Sequence, residues 1–157
     1  MGKEEGRSAP QGSVEERLRR LEDLQEIRRL VLDYRKHLDS GDLLSYSKLF
    51  ASDGEWLGNT GSGKGPESIR TMLEERLPKN PPAPGATRFH LITDPVIEMD
   101  GDSATGQVTW ALITRGVGDR PELTLLGHYV DSYTCENGHW RFQRREAHTD
   151  IPSRPLT

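Results

Sequence analysis

The chain has 157 residues, of which 32% are hydrophobic and 29% charged, and its formal net charge is −4. This length fits one domain that buries roughly two thirds of its unfolded surface. The lack of a basic excess argues against a nucleic-acid partner. The sequence has no apolar run near about 18 residues and no secretory leader, which argues against a membrane partner and favours a soluble, cytoplasmic protein.

The domain boundaries follow from where regular patterns begin and end. Residues 1–13 are rich in Gly, Ser, Glu and Lys and show no periodicity, so they are predicted to be a disordered lead-in. We predict one domain over residues 14–150 and a C-terminal tail over residues 151–157. The single cysteine, Cys135, cannot form an internal disulfide and is predicted to be a small apolar strand residue.

Apolar residues at steps of three and four predict a first helix from Val14 to Leu38. This stripe carries Tyr34 toward whatever the helix packs on. Asp39 follows in the last turn, where a carboxylate faces the negative end of the helix dipole. Gly41 is typical of a C-terminal helix stop.

Two further helices are predicted in the first half of the chain. Asp42 is a suitable N-cap for a short second helix. The residues predicted to be buried there are Leu43, Leu44, Leu49 and Phe50. Glu55–Leu57 is predicted to be one short strand, followed by a glycine-rich loop over Gly58–Gly65. Pro66 opens a third helix, predicted over Glu67 to about Leu77.

The second half of the chain is predicted to be strands, after a proline-rich surface loop over residues 79–85. The strand-forming segment Thr87–Met99 is broken at Asp94-Pro95. Asp100-Gly101 and Asn137-Gly138 are hairpin signals. The remaining strands are predicted at Ala104–Thr114, Leu123–Cys135 and His139–Ala147. Helices followed by a four-strand antiparallel meander predict an α+β domain, with the helices on one face of a curved sheet.

His90 stands out among the five histidines, because it lies in the otherwise apolar strand segment Phe89–Ile92. A buried imidazole needs a hydrogen-bond partner, and a carboxylate partner both orients the ring and raises its basicity. A core histidine satisfied by the backbone is the alternative interpretation. No pair of histidines has ligand spacing with a third Cys, Asp or Glu, so we predict no metal site and no cofactor.

Short motifs occur along the chain in a characteristic order. The first runs from Ile27 through Tyr34 and Leu38-Asp39-Ser40-Gly41-Asp42 to Leu49-Phe50 and Asp53. The later ones are Gly65-Pro66-Glu67-Ser68-Ile69, Thr87-Arg88-Phe89-His90, Asp100-Gly101-Asp102-Ser103-Ala104, Gly127-His128-Tyr129-Val130-Asp131 and Gly138-His139-Trp140-Arg141-Phe142. Together they resemble the SnoaL-like branch of the nuclear-transport-factor-2-like superfamily. The resemblance implies a cystatin-like cone, in which three N-terminal helices pack on a curved antiparallel sheet around a deep, mostly apolar pocket.

Within this branch the chain looks most similar to scytalone dehydratase and hexachlorocyclohexane dehydrochlorinase. In the dehydrochlorinase, a strand histidine pairs with an aspartate near the end of the first helix, and these positions match His90 and Asp39. The dehydratase shares this pair but uses a second histidine, whose position falls near Thr114 here.

The resemblance also implies a catalytic arginine near the end of the last strand and a set of pocket residues. The arginine matches Arg145, with Arg141 and Arg144 as alternatives. The residues expected to line the pocket are Tyr34, Trp56, Trp110 and Tyr129, with a plain core position as the alternative interpretation of each. Tyr129 and Asp131 share strand parity, so both are expected to face the pocket.

The predicted function is a cofactor-independent lyase, of the dehydratase or dehydrohalogenase type, or an isomerase. It would act on a hydrophobic cyclic small molecule: Asp39 would accept the Nδ1 proton of His90, and Nε2 would remove a proton from carbon. Three alternatives stay open: a non-catalytic binding module, a polyketide-cyclase-like enzyme that depends on Asp131, and an epoxide-hydrolase-like set of Asp39, Arg88 and Asp131. A homodimer or homotrimer is predicted, because an exposed sheet face that carries Trp and Leu needs cover.

Overall fold

The computed structural model describes residues 12–77 and 88–151. The predictions for the lead-in, the proline-rich loop and the tail fall mainly on residues 1–11, 78–87 and 152–157, which lie outside the described residues. The helices are α1 (Val14–Ser40), α2 (Leu43–Ser47) and α3 (Pro66–Arg76). Within the two described ranges, no helix combines the length and hydropathy needed to cross a membrane.

Helix α1 begins and ends at strong local signals. The Ser13 side chain accepts a hydrogen bond from the Glu16 backbone N–H, and the Glu16 carboxylate accepts one from the Ser13 N–H. Gly41 ends the helix in the left-handed region, with φ of 75°. The predicted first helix and its stop at Gly41 are therefore confirmed, although the helix extends to Ser40, so that Asp39 lies inside its last turn.

Among the described residues, seven strands form one mixed sheet. They are β1 (Phe50–Gly58), β2 (Gly61–Lys64), β3 (Arg88–Ile92), β4 (Val96–Asp100), β5 (Ser103–Arg115), β6 (Pro121–Glu136) and β7 (His139–Ile151). Their order is β2-β1-β7-β6-β5-β3, and β4 pairs with β5 on the same edge as β3. The predicted antiparallel meander is confirmed: its first strand is divided near the predicted break at Asp94-Pro95 into β3 and β4, which both pair with β5, and β6 and β7 follow in order. In addition, β1 pairs with β7 in parallel.

The segment around β1 and β2 differs from the prediction. Gly58–Gly65 was expected to be a loop, but Gly61–Lys64 returns as a strand against β1. The expected short strand at Glu55–Leu57 begins earlier, at Phe50. Since β1 lies between β2 and β7, its backbone groups have ladder partners on both sides, and these hydrogen bonds override the weak strand propensity of the glycines.

Of the residues predicted to be buried around α2, Phe50 is buried and Leu43 and Leu49 pack partly buried against the core, but the prediction is wrong for Leu44. Helix α2 ends at Ser47, and Leu44 is 52% exposed, whereas Tyr46 is fully buried. The Tyr46 ring packs on Tyr34, with centroids 4.7 Å apart, and on Phe50, at 5.8 Å. A five-residue helix has room for few side chains on the face that contacts the core, and in α2 the Tyr46 ring takes most of this face.

The core lies between α1 and the inner face of the sheet. From α1 it contains Ile27, Leu30, Val31 and Tyr34. All three tryptophans, Trp56, Trp110 and Trp140, are buried. The expectation of tryptophan on the exposed sheet face is therefore wrong: in β5, for example, alternate residues face inward and Trp110 has the inward parity.

Candidate active site

A cavity of about 370 Å³ lies between the helices and the inner face of the sheet. This volume is within the range of small-molecule pockets. The cavity is lined by Tyr34, Leu38, Tyr46, Trp56, Asn59, Thr60, Leu73, Leu77, Arg88, His90, Trp110, Leu112, Leu125, Tyr129, Ala147 and Thr149. The wall is mainly aromatic and aliphatic, and the polar side chains are few, as in sites that bind apolar ligands.

The last turn of α1 and the middle of β3 bring Asp39 and His90 together. The His90 Nδ1 lies 2.7 Å from Asp39 Oδ1. The backbone N–H of His90 also donates to the carboxylate, at 3.0 Å from Oδ2 and 3.2 Å from Oδ1. The His90 side chain is only 14% exposed and the Asp39 side chain only 13%. The paired geometry that the sequence comparison suggested is thus present in the structure.

This contact determines which nitrogen of the neutral ring carries the proton. An ionised carboxylate only accepts hydrogen bonds, so Nδ1 is the donor, and we infer that Nε2 carries the lone pair. His90 lines the cavity and Asp39 does not. The Asp39 carboxylate therefore lies behind the His90 ring as seen from the cavity, where the Arg35 Nη1 is 3.9 Å from its Oδ2. The His90 Nε2 is on the side of the ring away from this carboxylate.

Four of the predicted pocket residues form an aromatic wall around this cavity. The Trp56 Nε1–H donates to the Tyr34 hydroxyl at 3.0 Å. Trp110 stacks on Tyr129, with centroids 5.7 Å apart, and its ring lies 6.1 Å from that of His90. These aromatic residues are both core and cavity wall, so the two interpretations of Trp56 and Trp110 are not exclusive.

A glycine makes room for Trp110. Gly127 is its register partner on β6. A Cβ atom at this position would collide with the Trp110 ring and with the backbone carbonyl of His148. The indole therefore lies against bare backbone, which fixes one side of the cavity.

Arg145 and Asp131 lie deeper than predicted. Arg145 is fully buried, and its Nε and Nη2 donate to the two Asp131 oxygens at 2.7 and 2.6 Å. The guanidinium carbon lies 4.1 Å from the ring centroids of Tyr34 and Tyr129. Neither Arg145 nor Asp131 lines the cavity, so the expected pocket position of Asp131 is wrong: its carboxylate is bound by Arg145 and by the Tyr133 hydroxyl, at 2.8 Å.

The two alternative arginines do not replace Arg145 in the interior. Arg144 is half-exposed and pairs with Glu55 and Glu146. Arg141 bonds the Trp140 carbonyl at 3.3 Å. Of the three arginines, Arg145 alone is fully buried behind the aromatic wall.

Burial changes the pKa values of the ionisable side chains in this aromatic interior. It disfavours the charged Arg145 guanidinium, but the attraction and hydrogen bonds of Asp131 outweigh this, and the arginine pKa is raised. Burial also raises the pKa of Tyr46 and of Tyr129 well above the ordinary tyrosine value. Their hydroxyls, which an ordinary tyrosine keeps protonated at neutral pH, thus hold their protons into more alkaline solution and can act as hydrogen-bond donors.

Several cavity residues were missed by sequence reasoning. Tyr46 and the aliphatic residues Leu112 and Leu125 line the cavity. The parity of β5 was an available signal for Leu112, which is two residues after the inward-facing Trp110. Among the described residues, no group of three or more His, Cys, Asp or Glu side chains is placed to hold a metal ion.

The sequence matches the SnoaL-like domain family over residues 19–146. The chain belongs to the SnoaL-like family. A comparison with curated proteins gives no match. The family match covers α1 from residue 19 onward, both other helices and the sheet up to the first half of β7, and therefore includes every residue that lines the cavity except Ala147 and Thr149.

Solved structures share the architecture. LinA, a hexachlorocyclohexane dehydrochlorinase, is 25% identical, with a TM-score of 0.72 over 86% of this chain and 90% of LinA. A candidate scytalone dehydratase from Novosphingobium aromaticivorans is also 25% identical, with a TM-score of 0.66 over 84% of this chain and 87% of its own. An NTF2-like protein with a cystatin-like fold from the same organism is 24% identical, with a TM-score of 0.74 over 88% and 90%. The protein thus has the cystatin-like, NTF2-like fold.

Proposed function

We propose that the protein is a cofactor-independent lyase that eliminates water or hydrogen halide from a hydrophobic cyclic small molecule, or a closely related isomerase. The observation that carries the proposal is the 2.7 Å contact between His90 Nδ1 and Asp39 at the wall of a mostly apolar cavity. The similarity to a dehydrochlorinase and to a candidate dehydratase supports the same class of reaction.

His90 would be the general base. Its Nε2 would take a proton from an activated carbon, and the C–H electron pair would become the new double bond. The bond to the leaving group breaks with its electron pair, so a halide departs as an anion. A hydroxyl group would depart as water after it takes the proton back from the His90 imidazolium. Positioned proton transfer of this kind contributes about 10²–10⁴-fold to a rate.

Asp39 would position the base. It holds the Nδ1–H tautomer, and its negative charge stabilises the imidazolium that forms during the reaction. The contact to the His90 backbone N–H fixes the carboxylate independently of the ring. The ring orientation is therefore set before a ligand arrives, which lowers the cost of reaching the reactive geometry.

The aromatic wall would stabilise developing negative charge. The Tyr34 hydroxyl accepts its hydrogen bond from Trp56 and keeps its own proton for donation. Tyr46 and Tyr129 are protonated donors at neutral pH, as ordinary tyrosines are, and burial raises their pKa further. Arg145 would act from behind the Tyr34 and Tyr129 rings, through its charge, rather than by touching a leaving group.

The polyketide-cyclase-like and epoxide-hydrolase-like alternatives both need an Asp131 carboxylate that reaches the ligand. Asp131 instead binds Arg145 and Tyr133, away from the cavity wall. The elimination chemistry therefore has the stronger support.

The test is turnover by the whole protein of a panel of cyclic vicinal polyhalides and cyclic β-hydroxyketones, followed by chloride release and by enone absorbance. We expect at least one compound to be converted, and the His90→Gln variant to lose about 10²–10⁴-fold in kcat/KM. Conversion that survives His90→Gln, or no conversion of any compound by the wild type, would contradict the proposal. Saturable binding without conversion would favour a non-catalytic binding module.

A further inference from the structure

Helix α1 carries two apolar stripes. One packs on the sheet and contains Ile27, Leu30, Val31 and Tyr34. The other consists of four exposed residues, Val14, Leu18, Leu21 and Leu32, with exposed fractions of 71, 55, 64 and 49%. At about 100° per residue, the second stripe falls on one side of the helix, roughly opposite the core stripe. It therefore faces away from the body of the domain.

The start of α1 projects from the domain as a preformed helix. Residues 14–22 are all exposed. The capping hydrogen bonds between Ser13 and Glu16 stabilise its first turn. At the next turns, Asp23 accepts from the Trp140 indole N–H at 2.9 Å and Glu26 accepts from the Trp140 backbone N–H at 3.1 Å, which anchors the helix to β7. The helix is thus already formed and oriented before any partner binds.

The exposed stripe has the spacing of a coiled-coil seam. Leu18 follows Val14 by four residues and Leu21 follows Leu18 by three. This is the spacing of successive d, a and d positions in a heptad. The next two seam positions are the polar residues Gln25 and Arg28, and Leu32 follows in the same phase. The seam is therefore short, and its apolar part is the segment Val14–Leu21.

We propose that this segment pairs in parallel with the same segment of a second copy of the chain. The charged residues that flank the seam favour a second copy of the chain as the partner, and favour the parallel direction. Arg17 precedes Leu18 on one flank of the seam, and Glu22 follows Leu21 on the other flank. In a parallel pair, these flanks face each other across the seam, so each Arg17 meets Glu22 of the second copy.

The antiparallel arrangement has the opposite electrostatics. When the same apolar segments pair in the antiparallel direction, the same flank of each helix meets across the seam. Glu22 then lies against Glu15 of the second copy. Within the described part of the chain, Arg17 and Glu22 form no ion pair, so both are available to a partner helix. The charge pattern therefore favours parallel pairing.

The rest of the molecule allows this pairing. Since the core stripe is on the far side of α1, each domain would lie on the outside of the helix pair. A seam of three apolar residues per helix buries less than the ~1,000 Å² of a stable interface, so the dimer is expected to be weak and concentration-dependent. The cavity lies elsewhere, and its chemistry does not depend on this contact.

Charge reversal tests the proposal in the full-length protein. Sedimentation velocity over a concentration series is run on the wild type, on Arg17→Glu, on Glu22→Arg and on an equimolar mixture of the two variants. Arg19→Glu, which makes the same charge change off the seam, is the control. Each seam variant brings like charges together in its own homodimer, whereas the mixture restores two opposite-charge contacts.

We expect the wild type to dimerise with concentration and each seam variant to raise the dissociation constant roughly tenfold. The mixture should recover wild-type association, and Arg19→Glu should leave it unchanged. A wild type that stays monomeric, seam variants that associate like the wild type, or a mixture that shows no recovery would each overturn the proposal.

Discussion

The Asp39 carboxylate contacts His90 at two points, the ring Nδ1 at 2.7 Å and the backbone nitrogen at 3.0 Å. The first contact orients the imidazole, and the second ties the end of α1 to β3. The same carboxylate therefore contributes to the fold and to the proposed chemistry, and suitable substitutions separate the two roles.

Asp39→Asn and Asp39→Ala are expected to differ in stability. An asparagine oxygen can still accept the His90 backbone N–H, so its cost should be below about 1 kcal/mol, whereas alanine leaves that N–H without its partner and costs about 1–3 kcal/mol. Urea unfolding measures both values. Both variants should lose turnover, because neither stabilises the imidazolium. Equal destabilisation by the two variants would show that the backbone contact contributes little.

The buried Arg145–Asp131 pair is expected to dominate stability in the aromatic interior. Arg145→Met leaves the Asp131 carboxylate without its counter-charge and should cost about 3–5 kcal/mol, while the double variant Arg145→Met/Asp131→Leu should recover part of this loss. Arg144→Met is the matched control, because its ion pairs are half-exposed and should be worth about 0–1 kcal/mol. Denaturant unfolding of all three variants measures these differences in the free energy of unfolding. Similar costs for Arg145→Met and Arg144→Met would contradict this prediction.

Stability is expected to fall in alkaline solution. Burial raises the pKa of Tyr46 and Tyr129 in the folded protein, whereas these tyrosines titrate near 10 when unfolded. Above about pH 10 the unfolded chain therefore binds fewer protons than the folded chain, and the free energy of unfolding decreases as pH rises. Urea unfolding from about pH 8 to about pH 11 measures this slope. Tyr46→Phe should flatten it, and an unchanged slope would be inconsistent with the buried hydroxyl.

Filling the cavity should block ligands while His90 and Asp39 stay in contact. Leu112 lines the cavity and is the register partner of His90. A larger side chain in Leu112→Trp occupies ligand space, so the binding of an apolar naphthalene fluorophore should fall at least tenfold. Ile113→Trp, on the opposite face of β5, is the control and should bind as the wild type does. Equal binding by both variants would place the fluorophore outside this cavity.

The sequence predicts local features well. Gly41 ends α1, and Asn137-Gly138 forms a hairpin in which both residues have positive φ, at 53° and 78°. The side chain parity of Tyr129 and Asp131 was also predicted correctly, because alternation along a strand is a property of the backbone.

Features that depend on distant segments were harder to predict. Strand β1 extends beyond the predicted Glu55–Leu57 because β7, which lies much later in the chain, pairs with it in parallel, and the glycine-rich stretch forms β2 because it pairs with β1. The Asp39–His90 contact joins residues 51 positions apart, and only the family resemblance linked them in advance. The register that places Asp131 opposite Arg145 has no local signal, so parity alone wrongly assigned Asp131 to the pocket.

The central claim is that Asp39 holds His90 with a lone pair on Nε2 at the cavity wall. Long-range ¹H–¹⁵N spectra of the ¹⁵N-labelled protein, with the His90 signals assigned by comparison with His90→Gln, report the tautomer directly. We expect the neutral form of the ring to be protonated at Nδ1 and unprotonated at Nε2, with this preference weakened in Asp39→Asn. A neutral ring protonated at Nε2 in the wild type would contradict the proposed role of His90 as general base, because no lone pair would then be directed at a ligand.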